Sequence, residues 1–91
     1  MEEERVGTII HYWPKAGAAQ VELEKNVLHV GDVIRIRGRN HDFVQEIESM
    51  EIDHVAMPEG HPGEYVAIAV LEPVHEGDEV VIIRQGESFV M

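Results

Sequence analysis

The chain has 91 residues and no cysteine, which is enough length for one small domain and excludes disulfides, thiolate metal sites and a cysteine nucleophile. Its 18 acidic and 7 basic side chains give a formal net charge of -11, which argues against non-specific binding to duplex DNA. Apolar runs stay far below the ~20 residues of a membrane span and Glu2–Glu4 is unlike a secretory leader, so we expect a cytoplasmic protein without a membrane partner.

Branched side chains dominate the composition, with 13 valines and 9 isoleucines against 3 leucines, and they recur with a period of two. Both features favour β-strands over helices. Proline and glycine residues separate the alternating runs. In chain order, the pattern predicts six strands near residues 5–13, 18–25, 32–38, 43–56, 64–71 and 78–84.

The apolar faces and the number of the predicted strands indicate the fold class. The last two runs are apolar on both faces, so we expect central or covered strands there. Because an open sheet of this size would expose bare edges, the prediction is an all-β fold, a small closed six- to seven-stranded antiparallel barrel of the Greek-key type. The barrel is expected over residues 5–84, between an acidic N-terminal extension at 1–4 and a C-terminal tail at 85–91.

Two short segments resemble each other, His29-Val-Gly-Asp32 and His75-Glu-Gly-Asp78, and each leads into a predicted strand. Glycine tolerates a positive φ, and an aspartate can bond the backbone amides that follow it. We interpret the two segments as similar turns rather than as a true duplication.

An ordered set of motifs carries a family resemblance: Val6-Gly7, Leu28-His-Val-Gly-Asp32, Pro62-Gly-Glu-Tyr65 and Glu76-Gly-Asp78. It resembles the second, β-barrel domain of translational GTPases such as elongation factor Tu and initiation factor 2. More closely, it is similar to the small proteins called translation elongation factor-like, and a similar barrel is appended to some collagenase-like peptidases. The resemblance implies the translation-factor domain-2 fold, with RNA, the ribosome or a translation-related protein as partner. The sequence has no GxxxxGK[ST] phosphate loop, so it implies no GTPase activity.

Three arginines at alternate positions, Arg35, Arg37 and Arg39, project from one face of a predicted strand. With Lys15 or Lys25 beside them, they would form a strip for phosphate or carboxylate groups. The strip is therefore a candidate partner-binding surface.

Cross-strand ion pairing is the alternative interpretation of the same arginines. A turn at residues 41–42 would set Arg35 opposite Glu48, and the same register would set Arg37 opposite Glu46. Arg39 would then be the arginine left for a ligand.

Trp13 is predicted at the tip of the first hairpin, close to Lys15. An exposed tryptophan beside a lysine can stack on a base or anchor a protein partner. The alternative is that Trp13 folds over the end of the barrel and caps the core.

The six histidines, at positions 11, 29, 41, 54, 61 and 75, show neither HxH nor HExxH spacing. We therefore expect scattered surface and turn histidines, with no metal and no cofactor. The hydroxyls of Thr8, Ser49 and Ser88 lie in no nucleophile elbow, so we expect no enzymatic activity.

The first functional hypothesis is accordingly a non-catalytic binding module related to translation. A protein–protein adaptor or accessory subunit with no nucleic-acid role is the second, and an apolar patch at Trp13 or Phe89 would mark it. A small metal-dependent enzyme is the third, and it requires histidines that converge in space. The apolar tail Phe89–Met91 is also a candidate for weak homo-oligomerisation.

Overall fold

A computed structural model describes residues 2–84 of the chain. All regular elements in this range are strands, and the range holds no helix long and apolar enough to cross a membrane. The strands are β1 (Glu2–Trp13), β2 (Ala18–Leu23), β3 (Leu28–His29), β4 (Val33–Arg37), β5 (Asp42–Glu46), β6 (Met50–Ile52), β7 (Val55–Ala56), β8 (Glu59–Gly60), β9 (Tyr65–Ala69) and β10 (Glu79–Arg84).

Eight of the strands form one antiparallel sheet in the order β5-β4-β10-β1-β2-β9-β6-β7, while β3 pairs with β8 in a two-stranded ribbon. The long strand β1 carries register shifts between Arg5 and Gly7 and between Ile9 and His11. Such bulges bend a strand and increase its twist, so β1 can curve around the core.

A single hydrophobic core lies on the inner face of the curved sheet. Alternate residues of each strand point into this core, and β2 shows this clearly with buried Ala19, Val21 and Leu23. The apolar stretch Val80–Ile82 is wholly buried on β10, which lies between β4 and β1 in the sheet. The largest fully buried side chains are Ile9, Leu23, Leu28, Ile34, Ile36, Ile47, Met50 and Ile68.

The all-β antiparallel class is confirmed, whereas the closed Greek-key barrel is wrong. Within residues 2–84 the sheet runs from edge strand β5 to edge strand β7 without closing. The predicted strand 43–56 is broken into β5, β6 and β7. The break occurs where the chain changes its partner strand. Ile47 still bonds to the residues just before β4, since its amide donates to the Asp32 carbonyl at 2.9 Å and its carbonyl accepts from the Gly31 amide at 2.8 Å. Residues 47–49 then lie in no strand, and β6 pairs with β9 instead of β4.

A side chain links β5 to the end of β9. Gln45 is only 5% exposed, and its Nε2 donates to the Ala69 carbonyl at 2.9 Å. Its Oε1 accepts from the Leu71 amide at 2.9 Å. The side-chain amide thus supplies one donor and one acceptor, as a peptide group of a neighbouring strand would.

Three turns share one geometry, and each leads into a strand: His29–Asp32 before β4, His61–Glu64 before β9 and His75–Asp78 before β10. The histidine amide donates to the carboxylate three residues later, at 2.8, 2.7 and 2.9 Å respectively. The glycine at the third position has a φ of 100°, 92° and 94°. The carboxylate therefore accepts from the amide that opens the turn, rather than from the amides that follow it as predicted.

The two ends of the chain differ from the predicted boundaries in what the structure describes. Glu2–Glu4, predicted as an extension before the domain, belongs to β1 and pairs with Ile82–Arg84 of β10. The predicted tail at 85–91, with Ser88, Phe89 and the proposed oligomer contact, lies outside the described residues.

Candidate functional site

The predicted register of the arginine strand is wrong. Arg35 lies opposite Val44 and Arg37 opposite Asp42, so the turn centres on residues 39 and 40 instead of 41 and 42. The tight turn is closed by the Gly38 amide, which donates to the His41 carbonyl at 2.8 Å. Two-residue turns of this kind fix the register of a hairpin.

Two of the three arginines are held by carboxylates. Arg35 makes a bidentate contact with Asp42, at 2.6 and 2.8 Å, and a third bond to Glu3 at 2.9 Å. Arg37 reaches Glu79 at 3.1 Å and Glu3 at 3.4 Å. These contacts correspond to the ion-pairing interpretation, with acids other than Glu46 and Glu48.

Arg39 and Lys15 are exposed, and neither has an ion pair with another described residue. Arg39 lies in the β4–β5 turn, whereas Lys15 lies in the β1–β2 turn beside Trp13. The structure therefore offers no continuous strip of available cations along β4.

The Arg35–Asp42 pair leads to a prediction about acid stability. Hydrogen bonds from Arg35 lower the pKa of Asp42 below its usual value. A carboxyl group whose folded pKa is lowered stabilises the fold above its unfolded pKa, and that contribution is lost as the pH falls through the folded pKa. We expect Arg35→Ala to flatten the dependence of the unfolding free energy on pH below about 4, as measured by urea unfolding between pH 2 and 7. Arg39→Ala is the matched control, and an equal acid response in the two variants would contradict the prediction.

An open groove of about 480 Å³ crosses the outer face of β2, β9 and β6. Its floor is formed by two small side chains, Ala18 on β2 and Ala67 on β9. Each lies two positions from a larger lining residue of the same strand, Gln20 and Tyr65 respectively. Its rim carries two aromatic rings, Trp13 at 37% and Tyr65 at 49% exposure. Small residues between large ones make the sheet surface concave at this point.

Trp13 has a defined orientation on this rim. Its ring meets the His11 ring edge to face, with centroids 4.8 Å apart and an interplanar angle of 63°. A partly exposed indole supported on one edge leaves its other surface for a ligand. Trp13 therefore lines the outer groove, and 37% of its surface stays exposed there.

The far side of the groove is acidic. Glu51 of β6 and the β6–β7 turn residues Asp53 and His54 line it. Asp53 and His54 both have positive φ, 52° and 66°, as a two-residue hairpin turn requires. Neither lysine nor arginine is among the described residues that line the groove, so a positively charged ligand suits it.

Two of the six histidines, expected to be scattered, come together in space. The rings of His41 and His75 stack with centroids 4.5 Å apart, and His41 Nε2 contacts His75 Nδ1. They are 34 positions apart in sequence, so no local spacing could reveal the contact.

The comparisons with known proteins point to proteases. No protein-family model matches the chain. It is 31% identical over 81 residues to an uncharacterized protease of Methanocaldococcus jannaschii, covering 88% of this chain and 20% of that protein. It is 30% identical over 84 residues to a collagenase of Porphyromonas gingivalis, covering 91% of this chain and 23% of the collagenase. The chain thus spans about a fifth of the length of these curated relatives.

A solved structure shares the fold. The C-terminal domain of a putative U32 peptidase from Geobacillus thermoleovorans superposes with a TM-score of 0.82 at 24% identity, covering 89% of this chain and 93% of that domain. Its selenomethionine variant gives a TM-score of 0.80 at 25% identity, covering 85% and 96%. The identification as a translation elongation factor-like protein is therefore wrong, and the relatives give no support to RNA, ribosome or translation partners. The matching motifs were turn and core positions, which specify a β-fold without fixing its function.

Proposed function

We propose that this domain is a non-catalytic, protease-associated module that holds an extended, positively charged polypeptide segment in the groove between Trp13 and Tyr65. The groove is the observation that carries the proposal, because it combines an aromatic rim, a floor of small side chains and an acidic side. The similarity to proteins named protease and collagenase supports a polypeptide ligand.

The chemistry of the lining suits such a segment. Exposed aromatic rings bind proline rings and the stems of basic side chains, and they attract cationic groups to their faces. Glu51 and Asp53 lie where a lysine or arginine of the segment would pair with them. A groove that crosses three strands about 4.8 Å apart accommodates roughly three or four extended residues.

Two features support a binding role without catalysis. The lining residues in the described range include no serine, threonine or lysine, and the proposal assigns the carboxylates Glu51 and Asp53 to pairing with cationic groups of the ligand. The Thr8 hydroxyl is already engaged, since it donates to Glu24 at 2.9 Å and accepts from Arg5 at 2.6 Å. In a longer protein such a module would hold the polypeptide while another domain acted on it. The cytoplasmic location expected from the sequence stays a prediction.

Peptide binding to the purified chain tests the proposal. We expect a proline-rich peptide with two lysines to bind, and the same peptide with two glutamates to bind at least about tenfold more weakly. Trp13 is the only tryptophan, so its fluorescence reports binding directly. Tyr65→Ala should weaken the lysine peptide by about tenfold or more, because buried aromatic anchors dominate small interfaces.

Leu71→Ala is the matched control, because Leu71 is 66% exposed and is not a lining residue of the groove. Its affinity for the lysine peptide should equal that of the unaltered chain. Equal binding of the two peptides, or full affinity in Tyr65→Ala, would rule out this groove as the polypeptide site.

A further inference from the structure

We propose that His41, His75 and Asp78 form a binding site for a late first-row divalent metal ion such as Zn²⁺. The site lies where the β4–β5 turn meets the turn that leads into β10. One ligand atom from each of the three residues lies within 4.8 Å of the others. The site is independent of the Trp13–Tyr65 groove, because the two share no lining residue.

The two imidazole rings present their nitrogens to each other. His41 Nε2 and His75 Nδ1 are in direct contact, and the rings are stacked at 24°. Between two neutral imidazoles, one nitrogen must carry the proton and the other must accept it. The lone pairs lie in the ring planes, so rotation about the side-chain bonds is needed to turn both of them from the stacked arrangement toward one metal ion. The ion then takes the place of the shared proton, at about 2.0–2.1 Å from each nitrogen. Both rings are partly or fully exposed, so a small side-chain rotation opens the space between them.

Asp78 is a preplaced third ligand. It is 5% exposed, and its Oδ2 accepts from the His75 amide at 2.9 Å, which fixes the carboxylate beside the His75 ring. Gly38 leaves room for this carboxylate, because a Cβ at that position would collide with Asp78 Oδ1. An ionised carboxylate has about four lone-pair sites, so the turn bond leaves others for a metal.

The ligand set matches the ion class. Two neutral imidazoles and one carboxylate suit Zn²⁺, Ni²⁺ or Cu²⁺, whereas Mg²⁺ prefers oxygen ligands alone. The three side chains open into a cavity of about 410 Å³ that Glu76 and Arg39 also line. This space leaves a fourth position for water or for an incoming ligand.

Calorimetric titration of Zn²⁺ into the untagged chain tests the site. We expect saturable one-to-one binding, no comparable binding of Mg²⁺, and a melting temperature that rises with Zn²⁺. His41→Gln and His75→Gln should each weaken Zn²⁺ binding by at least about tenfold and reduce the rise in melting temperature at the same Zn²⁺ concentration. Asp78→Asn is less decisive because Asp78 also closes its turn. The His41 ring, by contrast, bonds only to His75 among the described residues, so His41→Gln is expected to fold.

The matched control removes two histidines from the other turns of the same type, His29→Gln together with His61→Gln. These two side chains are exposed and lie near Glu59, with His61 Nε2 at 2.7 Å and His29 Nε2 at 3.4 Å. The double variant should bind Zn²⁺ as the unaltered chain does. Absence of saturable binding, full affinity in His41→Gln, or loss of binding in the double variant would each overturn the proposal.

Discussion

The Gly7→Ala variant is expected to lose about 3 kcal/mol of unfolding free energy, because the added methyl group has no space. Gly7 lies in β1 and pairs with Val80 on one side and Leu23 on the other. A Cβ at this position would overlap the backbone carbonyl oxygen of Glu22 and lie 3.0 Å from Val21 Cγ1. A carbonyl inside a sheet cannot move away without breaking the pairing of its strand. A chain of this length has a total stability of roughly 5–14 kcal/mol, so the loss is large.

Urea unfolding of the purified variants measures this effect, with Gly17→Ala as the control. Gly17 has open space around it and a φ of 63°, so alanine there carries only the strain of a left-handed backbone. That strain costs about 1 kcal/mol. A Gly7→Ala variant no less stable than Gly17→Ala would show that β1 and β2 adjust freely at this contact.

The Gln45→Leu variant is expected to lose about 1–3 kcal/mol, since it removes the hydrogen-bond partners of two part-buried backbone groups. The Ala69 carbonyl loses its donor and the Leu71 amide loses its acceptor. Leucine is similar in size, so the effect comes from hydrogen bonding and not from a cavity. Thermal and urea unfolding of the same variant measure the loss.

Gln20→Leu provides the matched control for this substitution. Gln20 lies on the groove face of β2 and makes no side-chain hydrogen bond with the described residues. Its replacement should change the unfolding free energy by about 0.5 kcal/mol at most, as surface substitutions usually do. Equal losses in the two variants would mean that the Gln45 amide adds nothing to the join between β5 and β9.

Local patterns in the sequence predict a strand well when its period of two extends over several residues, as in β2 and β4. The ribbon strands β3 and β8 have two residues each, too few to show any period. The predicted strand 43–56 is interrupted at residues 47–49, where the chain passes from the edge of β4 to the edge of β9. This change of partner strand is a tertiary feature that no local pattern contains.

The register error at Arg35 has a related cause. Displacing the hairpin turn by two residues keeps every side chain on its original face. Both registers therefore satisfy the hydrophobic pattern, and only the tight turn at Arg39 and Asn40 distinguishes them. The sequence thus predicts that these arginines form ion pairs with carboxylate side chains, but it does not identify which carboxylates.

The candidate sites show the same limit. Trp13 stands out because it is the only tryptophan, whereas Tyr65 and Glu51 become site residues only when β9 and β6 bring them to the same face. The His41–His75 contact joins two turns that are remote in sequence. The family resemblance was misleading for a further reason, since its motifs described glycine turns that many β-domains need.

The three histidine-glycine turns have a consequence for labelling the protein. In each, the second residue is exposed: Val30, Pro62 and Glu76. The hydrogen bonds that close these turns come from the first and fourth residues. The side chains of Val30 and Pro62 take no part in them, whereas the Glu76 side chain lines the cavity beside His41 and His75. Because the chain has no cysteine, a single cysteine placed at position 30 or 62 would be a unique attachment point for a fluorophore or spin label. A pair of such labels would report the distance between the two turns that carry them.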